Sequence, residues 1–147
     1  MEIIRATSLA ERAGAYYVRI QAMARKHRLP LEVEFDGHDT PDTRYIVAID
    51  NFLPVATCRF FPMNESQVQL GRIVVLPEYR RQGLGTKVVQ AAERWARELG
   101  YKTATLESRD NKVKFYESMG YVGDYSKLIT EATFPCYRME KELVENH

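Results

Sequence analysis

The sequence predicts an α+β (mixed α/β) fold, with a central, mostly antiparallel twisted sheet flanked by helices. Three observations predict it. Two β-rich runs flank the turn residues Asp50-Asn51, which reads as a hairpin. A third run, Gln67 to Leu76, passes through a glycine turn into a segment of helical periodicity. The elements then order as β-α-β-β-β-α-β-α-β-β, in which strands follow strands more often than in a chain of βαβ units.

Each element has its own signal. Ile3-Ile4-Arg5 is a short first strand. Ser8-Leu9-Ala10-Glu11 reads as a capping box, with the carboxylate three residues after the hydroxyl. Ala10, Ala13, Tyr17, Ile20 and Ala24 follow at spacings of three and four and predict one buried helix face, fading near His27-Arg28 before Pro30. Leu31 to Thr43 carries Glu32, Glu34, Asp36, Asp39 and Asp42 and reads as a solvated acidic loop. Tyr45 to Ile49 and Pro54 to Phe61 are the hairpin strands, and Met63 to Ser66 turns into the third. Leu84, Val88, Ala92, Trp95, Ala96 and Leu99 form the apolar stripe of the next helix, with Gly100 placed to close it. Thr103 to Leu106 is a strand, and Asn111 to Met119 a short helix closed by Gly120. Tyr121-Val122 and Pro135 to Leu143 supply the last strands.

The 147 residues fit one compact domain, 1–147. A net charge of +1 gives no electrostatic footprint for nucleic acid, although Arg80-Arg81 is a local basic pair. Cys58 and Cys136 make no disulfide framework and no metal spacing, which fits a reducing cytosol. His27, His38 and His147 are scattered, so no metal is expected. The N-terminal residues lack the apolar region of a signal peptide, and no run approaches the roughly 18 apolar residues of a membrane span. The expectation is a cytoplasmic protein with no membrane and no nucleic-acid partner.

The most informative segment is Val74 to Thr86, which runs from strand to helix. Gly83 and Gly85 let the backbone come close to a ligand or take a positive φ. A helix that starts there points unpaired N–H groups and the positive end of its dipole at the turn, which suits a phosphate or pyrophosphate. Arg80 and Arg81 add charge. A Walker loop is excluded, because Gly85 is followed by Thr86-Lys87 in the wrong order. A dinucleotide fingerprint is excluded by Val88, which stands where a third small residue belongs. A bare Gly-x-Gly is equally an ordinary strand-to-helix turn.

The longer pattern Val-x-Pro-x-x-Arg-x-x-Gly-x-Gly, from Val75 through Gly85, resembles the central motif of the GNAT superfamily of acyl-CoA-dependent N-acyltransferases. Phe115-Tyr116-Glu117-Ser118-Met119-Gly120-Tyr121 resembles that family's later Phe-Tyr-x-x-x-Gly-Phe/Tyr element, and stands in the right order. Glu34, Asp36 and Asp39 resemble the early Glu-x-Asp-x-x-Asp region of small bacterial acetyltransferases of the ElaA type. The resemblance covers most of the chain and implies a GNAT-like fold.

It also implies acetyl-CoA as co-substrate and an amine acceptor, a small molecule or peptide that attacks the thioester directly in a ternary complex. By the same resemblance, Ile73, Val74 and Val75 bond the pantetheine arm through their backbone as an added strand would. Arg80, Arg81, Gln82, Gly83, Leu84, Gly85 and Thr86 form the pyrophosphate loop, and Asn111 contacts the pantetheine, although its spacing to Tyr116 is shorter than the family's. Tyr116 is the general acid toward the leaving thiolate, a role that suits a phenol of pKa about 10. Relatives carry Pro-His shortly before a late Met; here Pro135 is followed by Cys136, so the base is open among Glu34, Asp36, His38 and Asp39, or solvent. If those carboxylates line the acceptor site, they favour a cationic amine. Cys136 itself reads as a bystander rather than an acyl-carrying nucleophile, and Cys58 as packing. An alternative is an acyl-CoA-binding or regulatory domain without turnover. Proteins of this kind are often homodimers, but no interface patch stands out in the sequence.

Overall fold

The computed structural model describes residues 1–143 of the chain; His147 lies outside the described residues. The sheet is built from β1 (Glu2–Ala6), β2 (Arg44–Asp50), β3 (Leu53–Pro62), β4 (Gln67–Val75), β5 (Thr103–Arg109), β6 (Val122–Gly123) and β7 (Cys136–Glu142). Its strand order is β1-β2-β3-β4-β5-β7-β6. Every pairing is antiparallel except β4 with β5, which run parallel from Gln67↔Thr103 to Leu70↔Leu106. The expected fold class holds, and so does the element order apart from a helical turn, Leu31–Glu34, in the stretch expected to be a loop.

The first helix, α1 (Leu9–Arg19), starts as the sequence requires. Ser8 Oγ accepts from the Glu11 N–H at 3.1 Å, and a Glu11 carboxylate oxygen accepts from the Ser8 N–H at 2.9 Å. Its buried face is not the expected one. Ala10, Ala13 and Tyr17 are exposed, while Gly14, Ala15, Val18 and Arg19 are buried. The apolar spacing misleads because a fully buried arginine sits on the inner face, its charge met by carboxylates from the next segment. After α1 the chain widens into a π-helical turn over Ile20–Ala24, continues as α2 (Arg25–His27) and stops at the left-handed Arg28 (φ 54°). The widened turn shifts the phase of the helix, and Ala22 and Ala24 stay buried.

The hairpin turn is Asn51-Phe52, one residue later than expected, with both residues at positive φ (48° and 75°) as the tight primed turns demand. On the other side of the sheet from α1 lies α4 (Leu84–Glu98), which buries Leu84, Val88, Val89, Ala92, Trp95 and Ala96 against β2, β3 and β4. Full burial of each Val- or Leu-sized side chain is worth about 1.5–3 kcal/mol, so this stripe anchors the glycine turn to the sheet. Leu99, expected on the stripe, is exposed; Gly100 at φ 99° turns the chain away there. Between the two main helices in sequence lies α3 (Leu31–Glu34), and after β5 comes α5 (Val113–Ser118). None of the helices among the described residues is long and apolar enough to cross a membrane.

Candidate active site

The parallel pairing of β4 and β5 stops at Leu70 and Leu106. Beyond that point β4 continues along β3, whereas β5 continues along β7 as far as Arg109. The sheet therefore splits, and Gly71–Val75 has a strand on one side only. The split coincides with a bulge. Thr57 faces Val74 and Arg59 faces Gly71, so Cys58 of β3 stands against two residues of β4, Arg72 and Ile73. Arg72 takes φ 47°, a left-handed value uncommon for a non-glycine residue.

At the end of β4 a short 3-10 turn, Pro77–Tyr79, leads into the loop Arg80–Gly83. Arg80 Nε donates back to the Val75 carbonyl at 3.3 Å. Arg81 (φ 64°) and Gly83 (φ 77°) are both left-handed, and Gly83 precedes α4. No side chain among the described residues caps that end, so the first N–H groups of Leu84, Gly85 and Thr86 face outward from the helix start. A Cβ at Gly83 would meet nothing within 4 Å, whereas one at Gly85 would come within 3.3 Å of Phe115 Cζ. The two glycines therefore have separate reasons: Gly83 for its φ, Gly85 for the packing of α5 on α4.

Tyr116 lies on α5, partly buried against the core between Phe115 and Tyr121, whose ring centroids are 4.9 and 6.1 Å away. Burial, with Cys58 nearby, pushes its phenol above the ordinary tyrosine range. Cys58 is the β3 residue opposite the bulge, and Tyr116 packs on the core cluster that Cys58 shares with the buried face of α4. Asn111 is exposed in a 3-10 turn, Asp110–Lys112, just past the end of β5. The structure brings β4, the loop and Tyr116 together around the split.

The acidic stretch is not a solvated loop. Glu34 is 2% exposed. Arg19 Nε donates to Glu34 Oε1 (3.0 Å), and its two terminal nitrogens bond both Asp39 oxygens (2.7 and 2.9 Å). Arg59 Nη1 bonds Asp36 and Asp39 at 2.9 and 2.8 Å. Arg72 reaches Asp36 Oδ2 at 3.3 Å. Three arginines and three carboxylates thus compensate one another. Burial alone would raise the Asp39 carboxyl, but hydrogen bonds from Arg19 and Tyr45, with the Arg19 and Arg59 charges, hold it below the usual carboxylate range. Glu34 and Asp39 are thereby committed to structure, and so is most of Asp36. Their spacing resembles a motif, but nothing in a linear reading shows that Arg19, Arg59 and Arg72 come from three other elements.

His38 stacks on Phe61, with ring centroids 4.1 Å apart, on the surface of the same segment. Cys136 is buried, and burial, with Glu107 and Glu131, raises its thiol above the ordinary range, so no thiolate is activated there. Cys58 is fully buried and its thiol is pushed up by burial, as packing requires.

Comparison with known proteins agrees with this arrangement. The sequence matches the Acetyltransferase (GNAT) family over residues 9–121. An uncharacterized acetyltransferase of Streptococcus pyogenes is 33% identical over 112 residues, covering 76% of each chain. A crystal structure from Lactobacillus plantarum, provisionally named an N-acetyltransferase, superposes with a TM-score of 0.89 at 30% identity, covering 97% of this chain and 98% of that one. Escherichia coli ElaA superposes with a TM-score of 0.77 at 20% identity over 96% and 97%, a likeness of fold. The family match spans the split strand, the glycine turn and Tyr116, and on that ground the chain belongs to the GNAT family of acetyltransferases and is an acyltransferase enzyme.

Proposed function

We propose that the chain moves an acetyl group from acetyl-CoA to a primary amine, by direct attack in a ternary complex. The observation that carries this reading is the half-paired segment Gly71–Val75 of β4 leading into the uncapped start of α4. The backbone of Ile73, Val74 and Val75 would bond the pantetheine amides as a β5 strand would have done. The turn from Arg80 through Thr86 would hold the pyrophosphate. Backbone N–H groups of Leu84, Gly85 and Thr86 point outward, the helix dipole favours the anion, and Arg80 and Arg81 supply charge. Asn111, past the end of β5, stands on the opposite lip of the split for the pantetheine.

The carbonyl of the thioester would then lie at the bulge, where a backbone N–H of Val74 or Val75 polarises it. Tyr116 supplies the proton for the departing sulfur. Its raised pKa keeps the phenol protonated through neutral pH, and its hydroxyl has no hydrogen-bond partner among the described residues, so it is free to donate. Positioning and polarisation provide the rest of the rate.

Calorimetric titration tests the cofactor half of this reading. Acetyl-CoA should bind with a Kd on the order of micromolar or tighter, and Gly83→Glu should abolish the heat. No heat with the unaltered protein would refute it.

A further inference from the structure

His27 ends α2, immediately before the left-handed Arg28. Its imidazole meets Phe134 edge-on, with ring centroids 5.0 Å apart and planes at 66°. Arg109 lies over the same ring, its guanidinium carbon 4.1 Å from the centroid. The three side chains come from three elements: α2, the end of β5, and the segment entering β7. Their place in the fold is specific. Arg109 is on the part of β5 that has left β4 and runs on with β7, so this wall stands across the split from the bulge. Arg109 forms no ion pair among the described residues.

We propose that the acceptor amine docks against the His27–Phe134–Arg109 wall, carries an anionic group that pairs with Arg109, and gives its ammonium proton to His27. The proposal rests on the acetyl-transfer reading above and names its acceptor side. The carboxylates that a linear reading offers for this task are held elsewhere, Glu34 and Asp39 by buried arginines. His27 is a further base, standing with Arg109 across the split from the bulge. Burial against Phe134, then the charges of Lys26, Arg109 and Arg80, hold its imidazole below the ordinary histidine range, with Glu34 opposing. Its lone pair is therefore available at neutral pH. Of the other charged groups on this face, Glu107 lies opposite Arg138 in the β5–β7 register, and Glu131 lies near Cys136.

The step balances. His27 accepts one proton from the ammonium group, and the freed nitrogen lone pair forms the C–N bond to the acetyl carbon. The C–S bond breaks, and the sulfur takes the Tyr116 proton. The second nitrogen proton restores Tyr116 through solvent, and His27 releases its proton to water. The sum is R–NH3⁺ and acetyl-CoA giving the N-acetyl product, CoA-SH and one proton.

The test is thiol release from acetyl-CoA across a panel of amino acids, aminophosphonates, their amides and polyamines, read as kcat against pH, with acetyl-CoA calorimetry on each variant. Amines bearing a carboxylate or phosphonate should outrun polyamines; which of the two leads identifies the source of the anion. His27→Gln should lower kcat at pH 7 by about 10²-fold and remove the acid limb while leaving acetyl-CoA affinity unchanged, which separates it from a folding defect. Arg109→Gln should raise KM for anionic amines by roughly tenfold, the size of one charge-assisted hydrogen bond, with little effect on their neutral amides. Faster release with polyamines, or an acid limb that survives in His27→Gln, overturns this proposal and leaves the transferase reading standing. If no amine gives release although acetyl-CoA binds, the transferase reading fails and this proposal with it.

Discussion

Arg72 Nε donates to the main-chain carbonyl of Glu34 at 3.1 Å, and it does so from a left-handed residue in the bulge of β4. The same side chain reaches the Val33 carbonyl and Asp36. One residue therefore ties α3 to the strand position where the sheet splits. A left-handed non-glycine residue costs of order 1–3 kcal/mol, and these bonds offset that cost.

Arg72→Ala should lower stability by about 2 kcal/mol, since charge-assisted hydrogen bonds are lost while the side chain is partly exposed and screened. Arg72→Gly should keep the bulge, because glycine accepts its φ, and should retain more acetyl transfer than Arg72→Ala. Urea denaturation and thiol release on the same preparations check both. Equal activity in the two variants would remove the bulge from the account.

Asp39→Asn should destabilise the protein at pH 7 by about 3 kcal/mol, the usual cost of breaking a buried ion pair. Its native carboxyl is held below the unfolded value, so the stability it contributes is complete above the unfolded pKa of about 4. That contribution is lost progressively as pH falls from there toward the native value. The gap between the unaltered protein and Asp39→Asn should accordingly narrow below about pH 4. Denaturation midpoints from pH 7 to pH 3 test this, and a gap independent of pH would contradict it.

Gly83→Ala adds a Cβ at φ 77° in open space, so it should cost about 1–2 kcal/mol of strain with no steric clash. Gly85→Ala meets Phe115 instead and should loosen α5, which carries Tyr116. Gly83→Ala should therefore act mainly on acetyl-CoA affinity, and Gly85→Ala mainly on kcat. Calorimetry and steady-state rates separate the two.

Tyr116→Phe should lower kcat by about 10²-fold or more with acetyl-CoA affinity and stability close to unchanged, because the hydroxyl has no partner to lose. Unchanged turnover would remove Tyr116 from the acid role.

Much of the sheet is legible in the sequence because its signals are local. The Ser8–Glu11 box, the β2–β3 hairpin and the α4 stripe each sit within one short window; the box forms as expected, the hairpin with its turn one residue later, and the stripe without Leu99. The candidate site is legible where one segment carries it, from Val75 through Thr86. The features that a linear reading misses are long-range. The inner face of α1 depends on the burial of Arg19, and that depends on Glu34 and Asp39, 15 and 20 residues away. The π-helical turn has no composition of its own, yet it sets where His27 emerges. The split of β4 from β5 depends on pairing between Leu70 and Leu106, which no local pattern encodes.

Mass-spectrometric detection of the acetylated acceptor, after incubation with acetyl-CoA and the amine panel, tests acetyl transfer most directly. The predicted result is an amine product heavier by one acetyl group, formed in step with free CoA and absent with Gly83→Glu. Release of CoA at the same rate without any amine, and no acetylated product from any amine, would contradict it.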